Sequence, residues 1–235
     1  MLKATLVIDE LSQQKDQHRA QVSQRFFKTG PGEYGAGDIF WGLTVPAQRQ
    51  IAQKYKDLPL TEVKKLIYSP VHEQRLTGLL ILVYQYEQSN QENKTTIFEF
   101  YLEHRSQVNN WDLVDVTTPK IVGDYILKNS ESKKKVFVLI SSKNLWERRI
   151  ALLATFPFIK AGKFTEIQTL TVKVLKDQHV LIHKASGWML REMGKIDQPE
   201  LISFLDQYAT KMPRTMLRYA IEKLAEPIRK KYLAK

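Results

Sequence analysis

Short segments that join one charged residue to small and apolar neighbours return along this chain at a nearly constant step. Arg75-Leu76-Thr77-Gly78-Leu79-Leu80, Arg149-Ile150-Ala151-Leu152-Leu153 and Lys184-Ala185-Ser186-Gly187-Trp188-Met189 share the pattern, and Arg218-Tyr219-Ala220-Ile221 echoes it. With Asp115 included, the leading charges Arg75, Asp115, Arg149, Lys184 and Arg218 stand 40, 34, 35 and 34 residues apart. Such a step holds two helices and a turn, and a helix pair that short buries its apolar stripe only by stacking on its neighbours. The expected fold is therefore all-α, an α-solenoid superhelix whose small residues let adjacent helices approach closely. A generic helical bundle with coincident spacing is the alternative. In a solenoid, equivalent positions of successive pairs line one concave wall. Here that wall would form a basic groove, interrupted where Asp115 replaces the expected cation.

Helical periodicity dominates from Val45 onward, and no strand alternation competes with it. Thr44 is a candidate N-cap, followed by Pro46 at an early helical position. The helix opened there continues over 47–55, and the pattern predicts further helices over 61–68, 73–86, 95–104, 111–127, 132–140, 145–159, 164–175, 180–193, 199–208 and 213–232, the last bent or split near Pro227. Short connections such as Ser141-Ser142-Lys143-Asn144 favour antiparallel neighbours. One domain over residues 1–235 is expected, with an N-terminal helix and glycine-rich loop in 1–45 and repeats in 46–235. In residues 24–43, the spacing Gly32-x-x-Gly35-x-Gly37 has no preceding strand and no following Lys-Ser/Thr, so a surface loop anchored by Phe40 and Trp41 outranks a phosphate cradle.

At 43% hydrophobic residues the chain can fill a core, and with no cysteine it has neither disulfides nor thiolate metal sites. No apolar run approaches the roughly 20 residues of a membrane span, and the N-terminus lacks a signal-peptide core, so a cytoplasmic protein is expected. The net charge of +11 is uneven: residues 1–130 hold 15 cations and 15 acids, residues 131–235 hold 21 and 10. A localised cationic field of this kind suits a polyanion.

The richest chemistry lies in Asn109-Asn110-Trp111-Asp112-Leu113-Val114-Asp115. On a helix Trp111 and Asp115 share a face, setting an indole beside a carboxylate, while Asp112 points away and would cap or solvate the helix start. Lys184 and Trp188 repeat the four-residue spacing. A core role for either tryptophan, or a structural ion pair between Asp115 and Arg149, is the plainer alternative. His179 and His183 lack the glutamate of an HExxH zinc motif, Ser186 sits within an apolar helix, and Lys133-Lys134-Lys135 reads as a solvated run.

Trp111-Asp112-Leu113-Val114-Asp115, Leu145-Trp146-Glu147-Arg148-Arg149 and Lys184-Ala185-Ser186-Gly187-Trp188-Met189-Leu190-Arg191-Glu192, with Phe40-Trp41-Gly42-Leu43-Thr44-Val45-Pro46 near the N-terminus, resemble in order and spacing the AlkD family of bacterial DNA alkylation-repair glycosylases. The resemblance implies HEAT-like repeats that grip duplex DNA. It implies Asp115 as catalytic aspartate, Trp111 and Trp188 as indoles against the lesion's deoxyribose, and Arg149 as a backbone contact. Arg148, Lys184, Arg75 and Arg218 are the further candidate DNA-binding cations, the last two on spacing alone. The expectation is a monomeric, cofactor-free, metal-free, monofunctional glycosylase for N3- or N7-alkylated purines. Since the family includes members that bind DNA without excising bases, a non-catalytic protein for damaged or branched DNA is the alternative, and a protein-interaction scaffold a third reading.

Overall fold

A computed structural model describes residues 2–234. The elements are α1 (Ala4–Ser12), α2 (Gln17–Phe26), α3 (Val45–Lys54), α4 (Leu60–Ile67), α5 (His72–Gln88), α6 (Gln91–Glu103), α7 (Trp111–Thr118), α8 (Asp124–Lys128), α9 (Lys133–Phe137), α10 (Leu145–Leu153), α11 (Phe156–Lys160), α12 (Thr165–Lys173), α13 (Val180–Ile196), α14 (Gln198–Tyr208), α15 (Arg214–Ala220) and α16 (Glu226–Leu233). Apart from one isolated bridge between Ile39 and Val71, no β pairing occurs among the described residues. The fold is the expected all-α arrangement of stacked helix pairs, an α-solenoid in class.

The backbone packs as two compact units, residues 1–117 and 118–235. In the first unit α5 is the central helix, touching α3, α4 and α6. Leu66, Ile67, Leu76, Leu79, Leu80, Phe98 and Tyr101 fill the core around it. In the second unit α10, α13 and α15 lie side by side, with α12 against α10 and α13 and α14 against α13. Close approach is set by glycine: a Cβ on Gly78 would come within 2.9 Å of the Ile67 and Leu66 side chains, and one on Gly187 within 2.5 Å of the Met216 carbonyl oxygen.

Proline accounts for the main departures from the expected helices. The single helix expected over 111–127 is instead α7, a π turn at Pro119–Gly123 and α8, because Pro119 has no N–H to donate to the ladder. Pro157 lies in the first turn of α11, at the break in the helix expected over 145–159. The final helix splits as anticipated, with Pro227 in the first turn of α16. The N-terminal segment contains two helices, where one was expected.

The repeat has a second signature in hydrogen bonding. The fourth residue of α5, α10 and α13 is Arg75, Arg148 and His183, and each donates to the carbonyl six residues earlier, of Ser69, Ser142 and Asp177. These donors satisfy carbonyls that the turn before each helix leaves without a helical partner. Asp115, Arg149, Lys184 and Arg218 are the fifth residues of α7, α10, α13 and α15. Arg75 therefore stands one residue early, and its counterpart is Arg148. That shift removes Arg75 from the series in which the spacing placed it.

Candidate functional site

The first turn of α5 is unusual. His72, Glu73, Gln74 and Arg75 are all buried at the start of an apolar helix, and buried polar groups persist only with partners. Glu73 accepts backbone N–H groups of Trp41, Gly42 and Leu43 at 3.0, 2.7 and 3.3 Å, which pins the end of the glycine-rich loop. Phe40 is buried there and Trp41 half-buried under the Lys15 ammonium, in keeping with the expected anchors.

His72 lies between two carboxylates. Its Nδ1 is 3.0 Å from Asp38 Oδ2, and its Nε2 is 2.8 Å from Asp112 Oδ2. Asp38 comes from the loop, where it also receives Arg75 Nη2 and Asn110 Nδ2. Burial opposes charge on His72, but the Asp112 and Asp38 carboxylates outweigh it and push the imidazole up to about 9. Burial likewise opposes charge on Asp38, and the His72 and Arg75 contacts overcome it and hold the carboxyl below its ordinary range.

Asp112, expected to cap or solvate the start of α7, is thus not solvated. It is 9% exposed, and while one oxygen accepts the Leu113 N–H, the other engages His72. Asn110 Oδ1 accepts the Trp111 N–H at 2.8 Å. Leu113, Val114, Thr117 and Thr118 of α7 are wholly buried, while Trp111, Asp115 and Val116 remain partly exposed. Trp111 stacks on Phe27, with centroids 5.2 Å apart and planes 15° apart, and meets the exposed Phe26 edge-on at 5.8 Å. Phe27 in turn stacks on Phe40 at 4.9 Å. The indole is held by an aromatic column that starts at the buried imidazole, since Phe40 and His72 are stacked at 4.5 Å.

Arg75 requires a correction. It is 3% exposed, with its fork on Asp38 and the Ser69 carbonyl, so it clasps the loop and offers no rung to a phosphate. Arg148 is similarly engaged: Nε meets Asp177 Oδ2 at 2.7 Å, and Nη1 donates to the Ser142 and Lys143 carbonyls.

In the second unit Trp188 is partly exposed beside Phe156, and its Nε1 donates to Glu192 at 3.2 Å. Glu192 also receives Lys195 at 2.7 Å. Arg149 is 4% exposed and sends Nη1 to the Leu181 carbonyl at 2.6 Å, tying α10 to the first turn of α13. Lys184 is half-buried and Arg218 exposed. This unit holds 23 lysines and arginines against 11 acids, and the first unit 13 against 14. No cluster of three or more metal-binding side chains, and no helix long and apolar enough to cross a membrane, occurs among the described residues.

Asp38, His72 and the buried role of Asp112 were missed in the sequence. The one local signal was four consecutive polar residues opening an otherwise apolar helix, which reads equally well as a solvated first turn.

No curated protein sequence matches the chain. A solved structure described as "Predicted DNA alkylation repair enzyme from Enterococcus faecalis" is similar in fold, with a TM-score of 0.72 at 17% identity over 91% of this chain and 98% of that one. The family model for the DNA alkylation repair enzyme matches residues 7–224. Helical repeats, a part-exposed indole and carboxylate one turn apart, and a family match over most of the length place the chain in the DNA alkylation repair enzyme family.

Proposed function

We propose that the protein is a cofactor-free, monofunctional DNA N-glycosylase that removes cationic N3- or N7-alkylated purines from duplex DNA. The observation that carries this reading is the partly exposed face of α7, where Trp111 and Asp115 stand one turn apart while Asp112, Leu113 and Val114 between them are buried. A purine alkylated at N3 or N7 is positively charged and already a good leaving group. Its departure leaves oxocarbenium character on the deoxyribose. A carboxylate beside that sugar stabilises the growing charge and can orient the attacking water, as carboxylates do in glycoside hydrolysis. An indole face adds attraction for the same cation. The aromatic column under Trp111 supports this role, because it fixes the ring while leaving it partly exposed. Trp188, oriented by Glu192, is assigned to the lesion's sugar by resemblance. Of the candidate cations, Lys184 and Arg218 are the ones left accessible to phosphates; they add affinity without reading sequence. No lysine occupies the Asp115 position, so a strand-cleaving lyase step is not expected.

Incubation with duplex containing 7-methylguanine or 3-methyladenine should release free base above the spontaneous rate. Asp115→Asn should slow release on the order of 10²-fold or more while retaining DNA binding. Unchanged rates would make Asp115 structural. The charge excess of the second unit favours one other reading, a non-catalytic protein for damaged or branched DNA, which requires salt-sensitive binding without base release.

A further inference from the structure

We propose that His72, clasped between Asp38 and Asp112, is a positioning residue that sets α7 and thereby the placement of Trp111 and Asp115 for base excision. This rests on the glycosylase reading for its consequence, but its structural content stands apart from it. Three segments meet at this one imidazole: the loop through Asp38, α5 through His72 and Arg75, and α7 through Asp112, with Asn110 just before α7 bonded to Asp38. Among them only His72 bonds to both carboxylates, through opposite edges of one rigid ring. Asp112 directly follows Trp111 and lies three residues before Asp115, so a shift of Asp112 is a shift of the turn that carries both. The ring also stacks on Phe40 and lies 5.0 Å from Phe27, the residue beneath Trp111. His72 therefore reaches Trp111 along two routes, one ionic and one aromatic.

The clasp needs a protonated ring, because only an imidazolium donates from both nitrogens. The charged groups facing it are Asp38 from the loop, Asp112 from α7 and Arg75 one turn along α5, whose Nη2 is 3.5 Å from Nδ1. The aromatic groups against it, Phe27 and Phe40, do not titrate. Loss of the proton takes the ring's hydrogen bond from one carboxylate, and the loop and α7, still joined by the Asn110 bond to Asp38, are no longer joined through the ring. Such a loss follows from alkaline titration alone, about one pH unit below the ordinary range of tyrosines and lysines.

A variant retaining Trp111 as its sole tryptophan, with Trp41, Trp146 and Trp188 changed to Phe, reports on the site without any lesion substrate. Its emission should change in one step centred near pH 9, and the step should be absent when His72→Gln is added. In the otherwise native chain, His72→Gln should reduce single-turnover release of 7-methylguanine about 10- to 100-fold, with duplex affinity within about twofold, as expected when reacting groups are misplaced by about an ångström. Asp112→Asn, which keeps the side-chain shape, should do the same if His72→Gln folds poorly. An emission profile flat from pH 7 to 9.5, or one unaltered by either substitution, would overturn the proposal. A step at pH 9 with no base release by the native protein would leave the positioning intact and refute the glycosylase reading instead.

Discussion

Alkaline pH should cost the first unit much of its stability through His72. The imidazole is raised from 6.5 to about 9 in the folded chain, and its side chain is only 2% exposed, so solvent screening takes little from the effect. The folded state holds a proton that the unfolded state gives up near 6.5. Stability from this group is therefore fully present below pH 6.5 and is lost as pH rises through about 9. At about 1.4 kcal/mol per pH unit, the loss across that window is about 3 kcal/mol, a large share of a typical domain's total. Urea unfolding at intervals from pH 6 to 10 measures it. The native chain should show a falling free energy of unfolding between pH 6.5 and 9, and His72→Gln should flatten that stretch while starting from a lower value. An equal slope in both proteins would place the proton elsewhere and refute the assignment of the ion cluster as protonated.

Other substitutions test the packing and the division between clasping and binding cations. Gly187→Ala would bring a Cβ within 2.6 Å of Tyr219 Cβ as well as against the Met216 carbonyl, so it should destabilise the second unit by about 1–3 kcal/mol, measured by thermal unfolding. Arg148→Ala leaves Asp177, whose side chain is 9% exposed, without its fork and should cost roughly 3 kcal/mol in urea unfolding. Lys184→Ala and Arg218→Ala should each lower the salt dependence of duplex binding by about one phosphate equivalent while barely changing stability. Arg75→Ala should do the reverse, leaving the salt slope alone and lowering stability; a reduced slope would restore it as a phosphate contact.

The fold was legible because its signals are local and repeated. Helical period, small residues at close approaches and four of the five charges at the fifth position of a helix all recur within a single step of the chain. The helix breaks at Pro119 and Pro157 were available from the same letters, but the apolar period continues across both and hides them. The indole and carboxylate of α7 were legible for the same reason, since residues four apart on one helix face the same way whatever surrounds them.

What could not be read is which charges face each other. An arginine that clasps and an arginine that binds phosphate are the same letter, and the difference lies in partners far along the chain. Asp38 is 37 residues from Arg75, and Asp177 is 29 from Arg148. Near-neighbour spacing carries no trace of either pair. The fourth-position device does leave a trace, because a side-chain donor at that place in α5, α10 and α13 always meets a carbonyl six residues back. A donor at the fourth position therefore belongs to the turn that precedes its helix. A cation at the fifth lies about 100° further round the helix and is the one to test for DNA contact. By that criterion Arg75 and Arg148 are structural and Lys184 and Arg218 are candidates, while Arg149, also at a fifth position, is set apart by its burial against the Leu181 carbonyl. The criterion fails if Lys184→Ala and Arg218→Ala leave the salt slope of binding unchanged.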